Sequence, residues 1–196
     1  MIKFTVSFLL SWCYLLSTAQ TVIPLPTDEL GKITYQQVVE IEDASKELLF
    51  TNAHNYLESV VKNHKNLKID PQSNEDSTEV YLPLEYTVYS DFPIHSPHGT
   101  ISYLFKVSVK DGKYRYTASN FIFNYLKRNR YGRFVKVKGK FKPLEEPYFK
   151  GNQKLWEKHK QGTREKIEIL VETLLAEMYL PPEGPKEEIV KIEDDW

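Results

Sequence analysis

Residues 127–142, KRNRYGRFVKVKGKFK, hold eight cations and no acid: Lys127, Arg128, Arg130, Arg133, Lys136, Lys138, Lys140 and Lys142, interleaved with Tyr131, Phe134 and Phe141. Gathered on one surface, such side chains would attract the phosphates of lipid headgroups or lipopolysaccharide, or an acidic polysaccharide. Strand alternation over 134–141 puts Lys136, Lys138 and Lys140 on one face with Phe134, and Val135, Val137 and Phe141 on the other. Three aligned lysines, at about 1 kcal/mol each near an anionic membrane, support weak adhesion that salt would screen. The competing account is a solvated hairpin or a long basic loop whose lysines discourage edge pairing. The candidates for anionic-surface binding are therefore Lys127, Arg128, Arg130, Arg133, Lys136, Lys138 and Lys140.

Two other stretches could do chemistry. In VKDGKYRYTASNFIF, residues 109–123, cations alternate with rings as in a nucleic-acid platform. On a strand, however, Lys113 and Arg115 point away from Tyr114 and Tyr116, so no single face carries both, and no nucleic-acid partner is expected. HSPH places His95 and His98 in a loop, enough to begin a metal site, but three or four ligands are needed and the nearby carboxylate is Asp91 alone. No metal ligand set is assigned. His54 and His64, on or near the first helix, read as solvated or partly packed.

No glycine-rich phosphate loop, nucleophile elbow or paired-histidine helix occurs, so no catalytic residue and no cofactor is assigned. An enzyme, for instance a hydrolase acting on envelope polymers, would have to assemble its site in tertiary structure.

The chain of 196 residues opens with Lys3, an apolar run over 4–16 and the small residues Ser17 and Ala19, the pattern of a secretory signal peptide. The run is shorter than the roughly 20 residues that a membrane-spanning helix needs, which implies cleavage rather than anchoring. Residues 1–19 are assigned to the signal, so 177 (196 minus 19) remain, enough for one domain. Cys13, the one cysteine, would leave with the signal. Disulfides and cysteine chemistry are then excluded, and an ordinary hydrophobic core must supply stability. The net charge of −1, or −2 without Lys3, selects no partner. No later apolar segment reaches membrane-spanning length, so no transmembrane segment is expected after signal cleavage.

Positioning elements follow from periodicity. An irregular arm, 20–31, leads into a strand with Ile33, Tyr35, Gln37, Val39 and Ile41 on one face. From Ser45, a candidate N-cap with Asp43 as competitor, the period becomes 3.6, and Leu49, Ala53, Tyr56 and Val60 form a helical stripe widened by Leu57 and Val61. Residues 63–77, broken by Pro71, read as a connection. Strands return with Val80, Leu82, Leu84, Tyr86 and Val88, where Pro83 requires an edge or a bulge. Ile101, Tyr103, Phe105, Val107 and Val109 form the strongest alternation. Asp111-Gly112 then suggests a two-residue hairpin turn with positive φ at both residues. Tyr114 and Tyr116 lie out of step with Phe121, Phe123 and Tyr125, which demands a bulge or break near 118–120. A second helix carries Ile167, Leu170, Val171, Leu174, Leu175 and Met178 and stops at Pro181-Pro182. One wet sheet face and one covered face predict an α+β fold: an antiparallel sheet of four or five strands with two helices packed on one face. The helices are expected to bury Tyr56, Val60, Leu170 and Leu174 against Phe105 and Val107. The domain spans 32–180, followed by an acidic tail, 181–196.

This order, with GKITYQQVVEI followed by SKELLFTNAHNYL and the VKDGKYRYTASNF hairpin, resembles an uncharacterised bacterial family, domain of unknown function 4468, with a TBP-like fold. The resemblance covers roughly 30–123 and departs from the family over 76–89, where no glycine-bearing strand is read. It implies a protein exported to the periplasm or cell surface of a Gram-negative bacterium, and it supplies no catalytic or binding residues. With the signal peptide it leads to the expectation of a non-catalytic binding or scaffolding module of the envelope. Its partner would be an anionic envelope lipid, a polysaccharide or another envelope protein.

Overall fold

A computed structural model describes residues 24–62, 70–73, 78–90, 95–146 and 152–179. The expected signal peptide and acidic tail lie outside them, as do His64 and Asp91. The elements run β1 (Tyr35–Glu40), α1 (Lys46–Lys62), β2 (Asp70–Ser73), β3 (Thr78–Ser90), β4 (Ser96–Lys110), β5 (Lys113–Arg128), β6 (Phe134–Pro143) and α2 (Gln153–Met178). All strand pairings are antiparallel, in the order β1-β5-β4-β3-β2, and β6 joins the far half of β5 on the edge that β1 occupies nearer its start. The sheet is antiparallel, as alternation predicts, with six strands in place of the expected four or five. Beyond that expectation, β2 forms within the apparent connection, and β6 settles the choice between hairpin and basic loop in favour of a hairpin.

The inner face carries Val80, Leu82, Ile101, Phe105, Val107, Ala118, Phe121 and Phe123, each fully buried. Pro83 sits on β3 beyond the four residues that β2 pairs with, where β3 is an edge strand, the position in which proline is tolerated. The parity break falls at Asn120, whose φ of 59° makes the bulge that returns Phe121 and Phe123 to the side of Tyr114 and Tyr116. Asparagine tolerates that left-handed conformation better than most residues.

The turn between β4 and β5 differs from the expectation. Only Gly112 takes positive φ, 71°, because the turn is held by the neighbouring loop. Its N–H donates to the Ala44 carbonyl and its own carbonyl accepts from Ile41 N–H, both at 2.9 Å. Asp111 Oδ1 accepts from Lys46 N–H at 2.9 Å, and Ser45 Oγ from Leu48 N–H at 3.2 Å, so two side chains cap α1. Asp43, the competing cap, instead adopts φ 60°.

Both helices cover the inner face. α1 buries Leu49, Asn52, Ala53, Tyr56 and Leu57, with Val60 partly covered. The Tyr56 hydroxyl, kept protonated by burial, donates to the Leu170 carbonyl at 2.6 Å, and Asn52 Nδ2 donates to that of Met178 at 3.3 Å. α2 buries Leu174 and partly covers Leu170, as the stripe requires. Its polar-looking first half buries more: Trp156, His159, Thr163 and Ile167 continue the same stripe at spacings of 3, 4 and 4.

Candidate functional site

The outer face of the sheet is left without a helix, so its polar groups must satisfy one another or meet water. Across the middle, Glu79 of β3 accepts from Lys106 Nζ at 3.1 Å and Ser108 Oγ at 2.9 Å through Oε1, and from the Tyr81 hydroxyl through Oε2. These bonds hold its carboxyl down at about 2, the Tyr81 bond contributing most and partial burial opposing it. Such a weak base, already saturated by a serine, a tyrosine and an ammonium, suits a structural knot and not proton abstraction.

At one end of this face the β5–β6 hairpin closes in a self-contained turn. Asn129 N–H donates to the Arg133 carbonyl and Gly132 N–H to that of Asn129. Asn129 Oδ1 accepts from the N–H groups of Tyr131 and Arg133, while Gly132 supplies the φ of 76°. Four of the predicted cations, Lys127, Arg128, Arg130 and Arg133, surround this tip and are exposed. Arg128 lies 5.4 Å from the Phe134 ring and Arg130 4.7 Å from that of Tyr131, which is itself 70 % exposed.

The lysines of β6 do not share one face. Lys136 pairs with Leu126 and Phe141 with Asn124, so four residues, 137–140, stand opposite Tyr125 alone in a bulge where Gly139 has φ 71°. Phe141 is thereby returned to the outer face with Phe134 and Lys136, and the simple alternation that grouped Lys140 with them fails, because a wide bulge resets parity. Lys136 also forms an ion pair with Glu85 of β3, and Lys142 one with Glu146 while standing 5.8 Å from the Trp156 ring. Among the described residues, Lys127, Arg128, Arg130, Arg133, Lys138 and Lys140 have no carboxylate partner. The seven candidates thus divide into a cationic tip, a lysine neutralised in place, and two bulge lysines.

The histidines separate. His95 stacks on Tyr89 at 4.7 Å, whereas His98 Nδ1 lies 2.8 Å from Nε2 of His159, a residue only 4 % exposed. One ring must donate and the other accept, so their tautomers are coupled; burial pushes the His98 pKa down and favours the neutral ring. Phe123 stacks on His159 and meets Trp156 edge-on at 5.5 Å. This is a core polar contact, with no third metal-binding side chain among the described residues. No sequence motif marks His159; its place in the 156, 159, 163, 167 stripe is the signal that it is buried.

An antiparallel sheet backed by two helices on one side and open on the other defines a one-faced α+β domain whose accessible chemistry is that of a charged sheet surface. The family described as domain of unknown function (DUF4468) with TBP-like fold matches residues 35–124 of this chain. Two solved structures share the fold. One is a TBP-like protein from Parabacteroides distasonis ATCC 8503, with a TM-score of 0.56 and 19 % identity over 78 % of this chain and 96 % of that one. The other is a DUF4468 family protein from Bacteroides ovatus ATCC 8483, with a TM-score of 0.52 and 14 % identity over 82 % and 94 %. No curated protein matches in sequence. Among the described residues no helix is long and apolar enough to cross a membrane.

Proposed function

We propose that the protein is an exported, non-catalytic binding module that attaches to a phosphate-bearing anionic surface of the bacterial envelope through the tip of its β5–β6 hairpin. The observation that carries this reading is the exposed group of Lys127, Arg128, Arg130 and Arg133, none with a carboxylate partner among the described residues, around the exposed ring of Tyr131. Cations supply attraction to headgroup phosphates, and a tyrosine at the same level suits the interface between water and acyl chains. The turn depends on its own hydrogen bonds, so it presents these groups without help from a partner. The signal-like N-terminus supports export. The saturated, strongly acidic Glu79 supports binding over hydrolysis on the open face.

The test is co-sedimentation with vesicles of anionic and of zwitterionic lipid, and with lipopolysaccharide. Binding to the anionic surfaces is expected to fall with salt and to be lost in R128Q/R130Q/R133Q, while K136Q changes it little because Glu85 already holds that lysine. Equal, salt-insensitive binding by wild type and the triple variant would overturn the proposal.

A further inference from the structure

At the opposite end of the open face, more than ten residues along β5 from the hairpin tip, a groove of about 200 Å³ is lined by Val38, Ser108, Lys110, Lys113, Tyr114 and Arg115. We infer that this groove is a separate oxyanion site, shaped for the phosphate or sulfate group of a small monoester. Its construction follows from register. Lys110 and Lys113 are direct cross-strand partners beside the Asp111-Gly112 turn, Ser108 faces Arg115 in the next outward row, and Val38 of β1 continues that row on the other side of Arg115. Alternation buries Tyr116 toward the helices and sends all three cations outward, where they are exposed.

Charge makes the arrangement informative. Like charges directly opposite one another in a sheet are unfavourable, yet Lys110 and Lys113 stand so, with Arg115 on the same face two residues along β5. None of the three has a carboxylate within hydrogen-bonding distance among the described residues. Glu79 is already engaged by Lys106, Ser108 and Tyr81, and Glu40, opposite Lys113 on β1, makes no ion pair with it. A tetrahedral oxyanion, doubly charged in a phosphate monoester and singly charged in a sulfate monoester, would relieve the repulsion, taking two N–H groups from the planar guanidinium and one from each ammonium. The size of the groove favours one such group over an extended polymer. Val38, 52 % exposed, provides an apolar lip against which the organic part of a monoester can rest.

The site and the hairpin tip use different residues, so each can fail without the other. The purified protein would be titrated by NMR with inorganic phosphate, glucose 6-phosphate and glucose 6-sulfate, following the amides of Val38, Ser108 and Lys113 and the Arg115 Nε–H. Saturable shifts are expected, tighter for the monoesters than for inorganic phosphate. They should weaken at least about tenfold in R115Q and vanish in K110Q/K113Q/R115Q, while R128Q/R130Q/R133Q leaves them unchanged. The exchanged side chains are exposed, so unchanged thermal melts would show that the fold is kept. Non-saturating shifts, or saturation surviving in the triple variant with an intact fold, would overturn the site; equal or weaker binding of both monoesters would overturn its assignment to them.

Discussion

β5 begins and ends in turns that look alike on paper and are held in unlike ways. Asp111-Gly112 and Asn129–Arg133 each place a glycine at positive φ, 71° and 76°, beside a side chain that can accept from the backbone. In the first turn both polar groups of Gly112 are spent on the β1–α1 loop, and Asp111 caps α1. In the second, Asn129 serves its own turn. The first joins sheet to helix; the second encloses only itself and is free to carry exposed cations. A turn bonded into a neighbouring loop can therefore mark a joint of the fold, whereas a locally satisfied turn leaves its side chains available for a partner.

The largest expected effect lies at the base of the free hairpin. Trp156 there packs on Phe123 and donates from Nε1 to the Glu146 carbonyl at 2.8 Å. Trp156→Ala should cost about 3–5 kcal/mol in urea unfolding, the range for removing a large buried aromatic. A loss under 1 kcal/mol would mean that the hairpin base is not anchored through α2.

Next come the clamped turn and its counterpart. Gly112→Ala should cost about 2 kcal/mol, since the left-handed conformation is strained for alanine and relaxing it would break the bonds to Ala44 and Ile41. Asp111→Ala should cost about 1 kcal/mol through the lost cap. Gly132→Ala should cost less, about 1 kcal/mol or under, because that turn can relax without breaking a tertiary bond. Equal losses at the two glycines, measured by chemical denaturation, would erase the proposed difference between the turns.

Between the two ends, Glu79 gives the open face a pH dependence. Its folded pKa, about 2, lies below the ordinary 4.5, so the stabilisation is present above pH 4.5 and is lost as pH falls toward 2. Glu79→Gln should be less stable than wild type at neutral pH, and the gap should close through that window in thermal melts followed against pH. A constant gap would assign the effect to packing.

The smallest stability effect belongs to the tip. R128Q/R130Q/R133Q should stay within about 0.5 kcal/mol of wild type, as exposed surface changes do, even if it abolishes the proposed binding to anionic surfaces. A larger loss would make the tip a structural element.

Much of this fold was legible because period-2 and period-3.6 burial leaves its mark on local sequence. The mismatch between Tyr116 and Phe121 even called for a bulge or break near 118–120, since one inserted residue must reverse every later side chain, and the structure places it at Asn120. The same rule failed over 134–141, where Gly139 lies in a bulge of several residues and nothing local states its width; Lys140 was therefore misplaced and Phe141 turned outward unforeseen. Composition marked residues 127–142 as basic, and alternation about the Asp111-Gly112 turn marked 109–123 as a hairpin with cations and rings on opposite faces. Which lysines remain unpaired was decided in tertiary structure, because Glu85 and Glu146 reach Lys136 and Lys142 from other elements. The His98–His159 contact and the groove beneath Lys110, Lys113 and Arg115 likewise exist only once separate strands and a helix are brought together. Periodicity records which side of an element is buried; it carries no information about which element arrives to bury it.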